Sequence, residues 1–358
     1  MNFSPLDRDD LRERIGVELT AFLAERAAEL GQISADLDPV ASTIRDFVLD
    51  GGKRLRPAFA YWGWRGAGGA AASDEAVVRA VAALELVHAC ALMHDDVMDG
   101  SATRRGAPSV HERFADVHRT AGFAGSPTGF GRAAAILLGD LTLVWADEML
   151  AASGLPIEAT VRARPAYDAM RTEVMAGQYL DVLAQAQPSV SAERALRVAR
   201  YKSAKYTVER PLHVGGLLHG CSVALLDCYS AYGVPVGEAF QLRDDLLGVY
   251  GDPEVTGKPA GDDLREGKQT VLIALTLEHG APAEVAAVQG LLGDPLLDAA
   301  GVQTLREAIE SSGARRRVET LITVRLEQGV AALAQGQVEP DAATALAELA
   351  EMSTLRRA

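Results

Sequence analysis

Two clusters of acidic residues have the types and spacing that could do chemistry. The first is Asp95, Asp96 and Asp99, at the end of a long apolar segment. Residues four apart share a helix face, so Asp95 and Asp99 would be stacked with Asp96 beside them. Carboxylates at the carboxyl end of a helix oppose its dipole and raise one another's pKa unless a cation balances them. Magnesium takes one or two carboxylates and completes its shell with water and substrate phosphates, so the cluster predicts a magnesium site.

The second acidic cluster repeats this arrangement. It contains Gln241, Asp244 and Asp245, with Gly248 on the same helical face, and it also ends an apolar segment. One aspartate pair is common and alone is more typical of a solvated helix end. Two pairs at matching helix ends, in a chain that also carries the basic motifs described next, favour a binding site.

Basic residues that could bind phosphate follow the same order along the chain. The densest positive patch is Gly51-Gly52-Lys53-Arg54-Leu55-Arg56-Pro57, which is either a solvated turn or a phosphate-binding turn. Arginine can bind phosphate oxygens through two parallel hydrogen bonds, whereas lysine acts as a point charge. Arg104 and Arg105 directly follow the first acidic cluster. The other candidates, among which spacing does not choose, are Lys202, Lys205, Lys258 and Lys268.

His88 lies seven residues, about two helical turns, before Asp95 on the same helical stripe, after Val77, Val81 and Leu84. A lone histidine on an apolar stripe is either a core residue or a ligand-binding group, and the sequence leaves both open.

The composition limits the classes of partner. The chain has 358 residues and a net charge of −14, so it should repel nucleic acid and anionic lipid surfaces, and a polyanionic substrate must meet local cations. Cys90, Cys221 and Cys228 form neither a metal-binding pair nor a disulfide framework, which favours reduced thiols and a cytoplasmic location. The sequence contains no run of about 18 uninterrupted apolar residues, the length that would predict a membrane span.

Apolar residues recur at three- and four-residue spacing almost throughout, so we expect an all-α protein. The predicted helices cover residues 11–30, 39–49, 74–98, 132–152, 157–183, 191–209, 217–248 and 268–279, with shorter helices after them. Residues 115–131 contain four glycines and one proline with little periodicity, which predicts a long mobile loop. No domain boundary is visible, so a single domain over residues 1–358 is expected.

Taken together, these residues resemble the trans-isoprenyl diphosphate synthases, most closely bacterial geranylgeranyl diphosphate synthases, between Ile44 and Thr276. The motifs of that family occur in order: Gly51-Gly52-Lys53-Arg54-x-Arg56-Pro57, His88, Asp95-Asp96-x-x-Asp99, Arg104-Arg105-Gly106, Gly177-Gln178-x-x-Asp181, Lys202-Ser203-Ala204, Phe240-Gln241-x-x-Asp244-Asp245, Gly257-Lys258 and Lys268. The resemblance implies the isoprenoid synthase fold, with about ten or more helices around a central apolar cavity, and a homodimer.

The resemblance also implies the reaction. Isopentenyl diphosphate would attack the cation formed from an allylic diphosphate (dimethylallyl, geranyl or farnesyl), and a proton would then be lost to the departing diphosphate. Three Mg²⁺ ions, brought in with the allylic diphosphate, would be bound by Asp95, Asp99 and Asp244, with Asp96 and Asp245 in support.

The basic residues receive roles by the same resemblance. Arg104, Lys202 and Lys258 would bind the allylic diphosphate. The diphosphate of isopentenyl diphosphate would be held by Lys53, Arg56, His88 and Arg105. The remaining substrate-binding candidates are Arg54, Ser203, Gln241 and Lys268.

The second motif departs from the family pattern at one position. The family often has a third aspartate where this chain has Gly248, and Asp252 is the nearby candidate to replace it. Because the first aspartate of the motif carries the metal in the family, we expect activity to survive.

Product length depends on the helix before Asp95. Short-chain members of the family often carry aromatic residues four and five positions before this aspartate, where the chain has Ala91 and Cys90, with Val87 further down. The growing chain should pass these residues, so geranylgeranyl diphosphate is the expected product and farnesyl or longer diphosphates are alternatives. Less favoured alternatives are a class I terpene cyclase, a non-catalytic partner subunit and a purely structural helical bundle.

Overall fold

The computed structural model describes residues 8–71, 74–187, 189, 191–251 and 261–354. Lys258 and Asp252 lie outside these residues. The α-helices are α1 (Leu11–Ile33), α2 (Asp38–Leu49), α3 (Leu55–Gly66), α4 (Glu75–Asp99), α5 (Val110–Ala121), α6 (Pro127–Ala151), α7 (Ile157–Gln185), α8 (Ala192–Ala199), α9 (Arg210–His219), α10 (Val223–Tyr250), α11 (Asp262–Arg265), α12 (Val271–His279), α13 (Pro282–Leu291), α14 (Ala299–Ser311), α15 (Ala314–Gln335) and α16 (Pro340–Thr354). Other elements are 3₁₀ turns (Arg8–Asp10, Ala35–Leu37), a π-helix (Arg200–Glu209) and a two-residue hairpin, β1 (Thr103–Arg104) with β2 (Ala107–Pro108). The all-α prediction is confirmed.

The described residues group in two compact units. Unit 1 comprises those within Met1–Arg164 and Val214–Gly220, and unit 2 those within Pro165–His213 and Cys221–Ala358. This grouping reflects contacts inside each unit, and the single domain over residues 1–358 stays a prediction.

Helix α4 is the core helix of unit 1. Its stripe of Val77, Val81 and Leu84 is at most 2% exposed, and α4 packs chiefly against α6 and α3. Among the described helices, α4 is long and apolar enough by composition to cross a membrane, but 72% of its most apolar window is buried, which is typical of a core helix. Burial of this stripe fixes the rotation of α4 and therefore the direction of the acidic residues at its end.

Helix α10 has the same role in unit 2. It packs against α15 and the π-helix, and its buried side chains include Leu242 and Leu246. Gly237 permits this packing, because an added Cβ there would lie 2.5 Å from the Cα of Ala204 in the π-helix. Gly233 is similarly close to the backbone of Glu209.

Several predicted boundaries were wrong. Residues 115–131 are not one long loop: α5 continues to Ala121, α6 begins at Pro127, and only residues 122–126 connect them. Gly122, one of the glycines that suggested a loop, instead ends α5, where it has φ 66°. The predicted helix over 217–248 is interrupted, because Gly220 at φ 95° ends α9 and Ser222 caps the start of α10. The basic segment was expected as a turn, but α3 begins inside it at Leu55.

Candidate active site

The first acidic cluster is balanced by an arginine that the β-hairpin returns to it. Helix α4 ends at Asp99, because Gly100 adopts the left-handed conformation (φ 68°) that terminates helices. The hairpin then brings Arg104 back, so that its Nε donates to Asp96 Oδ1 (2.9 Å) and its Nη2 lies 3.4 Å from Asp95 Oδ2. Asp96 is completely buried. Arg104 thus supplies the positive charge that carboxylates at a helix carboxyl end require.

The basic segment is fixed to α4 by a buried ion pair. Gly51 and Gly52 have φ of 80° and 93°, and Arg54 has φ 52°, a conformation that is strained for a residue other than glycine. Arg54 Nη1 lies 2.6 Å from Glu85 Oε2, with side chains only 7% and 4% exposed, and its Nη2 donates to Val48 O. Arg54 therefore holds the turn in place, and its direct contact with substrate stays a prediction.

Arg105 packs on the same turn. Its Nη1 donates to the carbonyl oxygens of Asp50 (2.9 Å) and Phe47 (3.3 Å) at the end of α2. Gly52 leaves room for the guanidinium, since an added Cβ would lie 3.3 Å from Arg105 Nη2. Lys53 is exposed in the same turn and Arg56 is partly buried in the first turn of α3.

His88 lies among these cations. Burial first, and then the positive charges of Arg56, Arg105, Arg104 and Arg54, hold the pKa of His88 well below its ordinary value. The imidazole is therefore neutral at pH 7. A neutral imidazole can still donate one hydrogen bond to an anion. The structure thus groups the sequence-predicted residues of unit 1 into adjoining acidic and basic parts.

The residues expected to set product length lie further down α4. Val87 and Cys90 are buried, and Ala91 is partly exposed. Cys90 Sγ lies 3.8 Å from His94 Nδ1, and burial with the nearby Asp140 charge raises the pKa of the Cys90 thiol to about 12. A protonated thiol here is unreactive, which suits a residue that only shapes the space around it.

In unit 2, Lys202 lies on the π-helix. Its Nζ lies 2.7 Å from Asp181 Oδ2 of α7, and Gly177 one turn earlier admits the π-helix, because a side chain there would overlap the Lys202 backbone. Ser203 is buried beside it. Lys205 instead pairs with Glu209 at 2.7 Å. Of the two predicted lysines on this helix, Lys202 is therefore the one that pairs with the aspartate of the Gly-Gln-x-x-Asp motif.

The second acidic cluster lies on α10 near its end. Gln241 Nε2 donates to Asp245 Oδ1 (2.7 Å), and Asp244 is partly buried. Burial first, and then the charges of Asp263 and Asp244, raise the pKa of Asp245 to about 7. Lys268, which pairs with Glu266 (2.7 Å) and Asp263 (3.4 Å), opposes this shift.

Arg243 fixes the rotation of α10 at this cluster. Its two Nη atoms bind both carboxylate oxygens of Glu319 on α15 at 2.9 and 2.6 Å, and its Nε donates to Thr354 O at the end of α16. Residue 243 is one step of about 100° away from residue 244 on the helix. Anchoring Arg243 therefore sets the direction of Asp244.

The donor chemistry of both clusters fits magnesium. The candidate ligands are carboxylates, the hard oxygen donors that magnesium prefers. Within the residues that the structure describes, no three His, Cys, Asp or Glu side chains converge as a ready-made metal site.

Three acidic residues had no assigned role from the sequence. These are Glu85, the partner of Arg54; Asp181, the partner of Lys202; and Asp263, beside the second cluster. Only Glu85 carried a local signal, as a single charge in an apolar segment. Asp181 was visible only as part of a motif.

Comparison with known proteins identifies the family and the fold of this chain. The polyprenyl synthetase family model matches residues 38–310. A geranylgeranyl diphosphate synthase of Mycobacterium tuberculosis is 34% identical over 81% of this chain and 77% of its own, and a (2E,6E)-farnesyl diphosphate synthase of Mycobacterium bovis is 32% identical over 86% and 80%. The crystal structure of a geranylgeranyl pyrophosphate synthase from Corynebacterium glutamicum, complexed with isoprenyl diphosphate and magnesium, has a TM-score of 0.93 and 43% identity, over 97% of this chain and 99% of that one.

These similarities cover most of the chain and confirm the isoprenoid synthase fold predicted from the motifs. The chain belongs to the polyprenyl synthetase family and is a trans-isoprenyl diphosphate synthase.

Proposed function

We propose that the protein is a magnesium-dependent prenyltransferase that condenses isopentenyl diphosphate with dimethylallyl, geranyl or farnesyl diphosphate, head to tail and in the trans configuration, and makes geranylgeranyl diphosphate. The observation that carries the proposal is the meeting of acidic and basic groups at Arg104 in unit 1. Arg104 binds Asp96, and its charge also acts on His88 within a group of four arginines. Such a combination offers carboxylates for a metal and cations for a diphosphate.

In this proposal, the magnesium ligands are Asp95, Asp99 and Asp244, with Asp96 and Asp245 in support. Magnesium would stabilise the negative charge that develops on the departing diphosphate. Arg104 and Lys202 stabilise the same charge, and Asp96 and Asp181 fix the positions of these two cations.

The second diphosphate, that of isopentenyl diphosphate, binds to Lys53, Arg56, His88 and Arg105. Because His88 is neutral, it orients this diphosphate by a hydrogen bond and does not add charge. The apolar residues of α4 below Asp95 exclude water, which would otherwise quench a carbocation.

The geranylgeranyl product is supported by Cys90 and Ala91, which are small where an aromatic residue would block a growing chain, and by the name of the Corynebacterium glutamicum protein. A farnesyl product is the second candidate, because the Mycobacterium bovis relative, at 32% identity, is named a farnesyl diphosphate synthase. A cytoplasmic location and a homodimeric state belong to the same proposal. The location rests on the cysteine spacing, and the homodimer rests on the family resemblance.

The test is to incubate purified protein with magnesium, labelled isopentenyl diphosphate and each of the three allylic diphosphates, and to separate the products by chain length. We expect a C20 product from each starter. Activity should disappear with EDTA and in Asp95→Ala and Asp244→Ala. Turnover that survives EDTA or either substitution would contradict the metal assignment. A main product of C15, or one longer than C20, would replace only the product assignment.

A further inference from the structure

Gly248 lies on α10 four residues after Asp244 and three after Asp245, so its side-chain position shares their face of the helix. Glycine leaves this position without a side chain. The space is filled by another residue, because a Cβ added at Gly248 would lie 2.5 Å from Cγ of Asp263 and nearer still to its Oδ2. The carboxylate of Asp263 therefore occupies the place where a longer side chain at residue 248 would begin.

The backbone around Asp263 holds this carboxylate in place. Leu264, the next residue, is 1% exposed in the apolar core of unit 2, and its carbonyl accepts from Gly293 N at 2.9 Å. Lys268 N donates to Asp263 O at 3.0 Å, and Lys268 Nζ lies 3.4 Å from its carboxylate. The Asp263 position is thus built by the packing of α11 and is not that of a loosely attached surface acid.

We propose that Asp263 supplies the third carboxylate of the second acidic cluster from a separate helix, and that Gly248 is the residue that admits it. The inference rests on the proposed function. Asp263 would act as a positioning residue, accepting hydrogen bonds from water that magnesium retains beside Asp244.

The test measures magnesium affinity without turnover. Purified protein is titrated with Mg²⁺ in the presence of inorganic diphosphate, and the rise in melting temperature gives an apparent affinity, which calorimetry then checks. We expect Asp263→Ala to weaken this affinity about tenfold or more, the usual effect of removing a residue that orients metal-bound groups. Asp262→Ala removes the neighbouring acid of the same helix and should leave the affinity unchanged.

Gly248→Ala gives a second variant that keeps Asp263. The atoms nearest to the new Cβ belong to the end of a flexible side chain, so the protein should fold while the carboxylate is displaced. The affinity should then fall as in Asp263→Ala. The two changes together should weaken affinity no more than either alone. Gly248→Asp combined with Asp263→Ala returns the carboxylate to α10 and should restore most of the affinity.

Unchanged magnesium affinity in Asp263→Ala would overturn the inference, as would equal losses in Asp262→Ala or no recovery in the Gly248→Asp, Asp263→Ala double variant. These outcomes are distinct from failure of the proposed function. If the proposed function were wrong, magnesium would not stabilise the wild-type protein, or it would stabilise Asp244→Ala to the same extent.

Discussion

The buried ion pair between Arg54 and Glu85 makes a quantitative prediction about the turn that carries the basic residues. The two side chains are 7% and 4% exposed and their charged atoms lie 2.6 Å apart. Glu85→Gln keeps the size of the side chain but leaves the Arg54 charge buried without a counter-charge. Removing one partner of a buried pair costs about 3 to 5 kcal/mol, so we expect a loss in this range.

The control is the pair of Arg79 with Glu18. It has nearly the same separation, 2.7 Å, but its side chains are 45% and 22% exposed, so Glu18→Gln should cost about 0 to 1 kcal/mol. Both losses are measured by urea unfolding followed by tryptophan fluorescence. This probe reports unit 1, which contains the three tryptophans of the chain, Trp62, Trp64 and Trp145.

A double variant, Arg54→Met with Glu85→Leu, separates buried charge from lost packing. With both charges removed, no unpaired ion remains, and we expect most of the stability to return. Equal losses in Glu85→Gln and Glu18→Gln, or a double variant that is less stable than Glu85→Gln, would refute the reasoning that burial makes this pair strong.

Three further predictions concern pH, packing and product length. The pKa of Asp245 is raised to about 7, so its contribution to the free energy of unfolding is complete below about pH 4 and is lost as the pH rises through 7. In metal-free protein, Asp245→Asn should remove this loss of stability at high pH. Urea unfolding at pH 4 and at pH 8 would measure the difference. Gly237→Ala should destabilise the protein by about 1 to 3 kcal/mol, because the new Cβ would overlap the backbone of Ala204. Gly16→Ala, which has open space around it, should stabilise the protein by about 0.5 to 1 kcal/mol. Thermal unfolding of both variants would show the sign of each change. Ala91→Phe should shorten the product by at least one isoprene unit in the chromatographic assay, and an unchanged product would remove the assigned role of this position.

The helical class, the two acidic clusters and the family could be predicted from the sequence because their signals are local. Apolar spacing specifies a helix within a few turns. Each motif spans at most seven residues, and the one from Asp95 to Asp99 spans five. Boundaries set by single backbone conformations were harder to predict. The end of α9 at Gly220 and the start of α3 at Leu55 depend on residues with positive φ in otherwise helical or basic surroundings.

The partners of the functional residues were decided by tertiary structure. Glu85 is 31 positions from Arg54, Asp181 is 21 from Lys202, and Asp263 is 15 positions beyond Gly248. No periodic pattern connects residues at such separations, because they meet only when different helices pack. Residue type and spacing therefore specified which side chains could do the chemistry, while the packing of helices determined which counter-charge holds each of them in place.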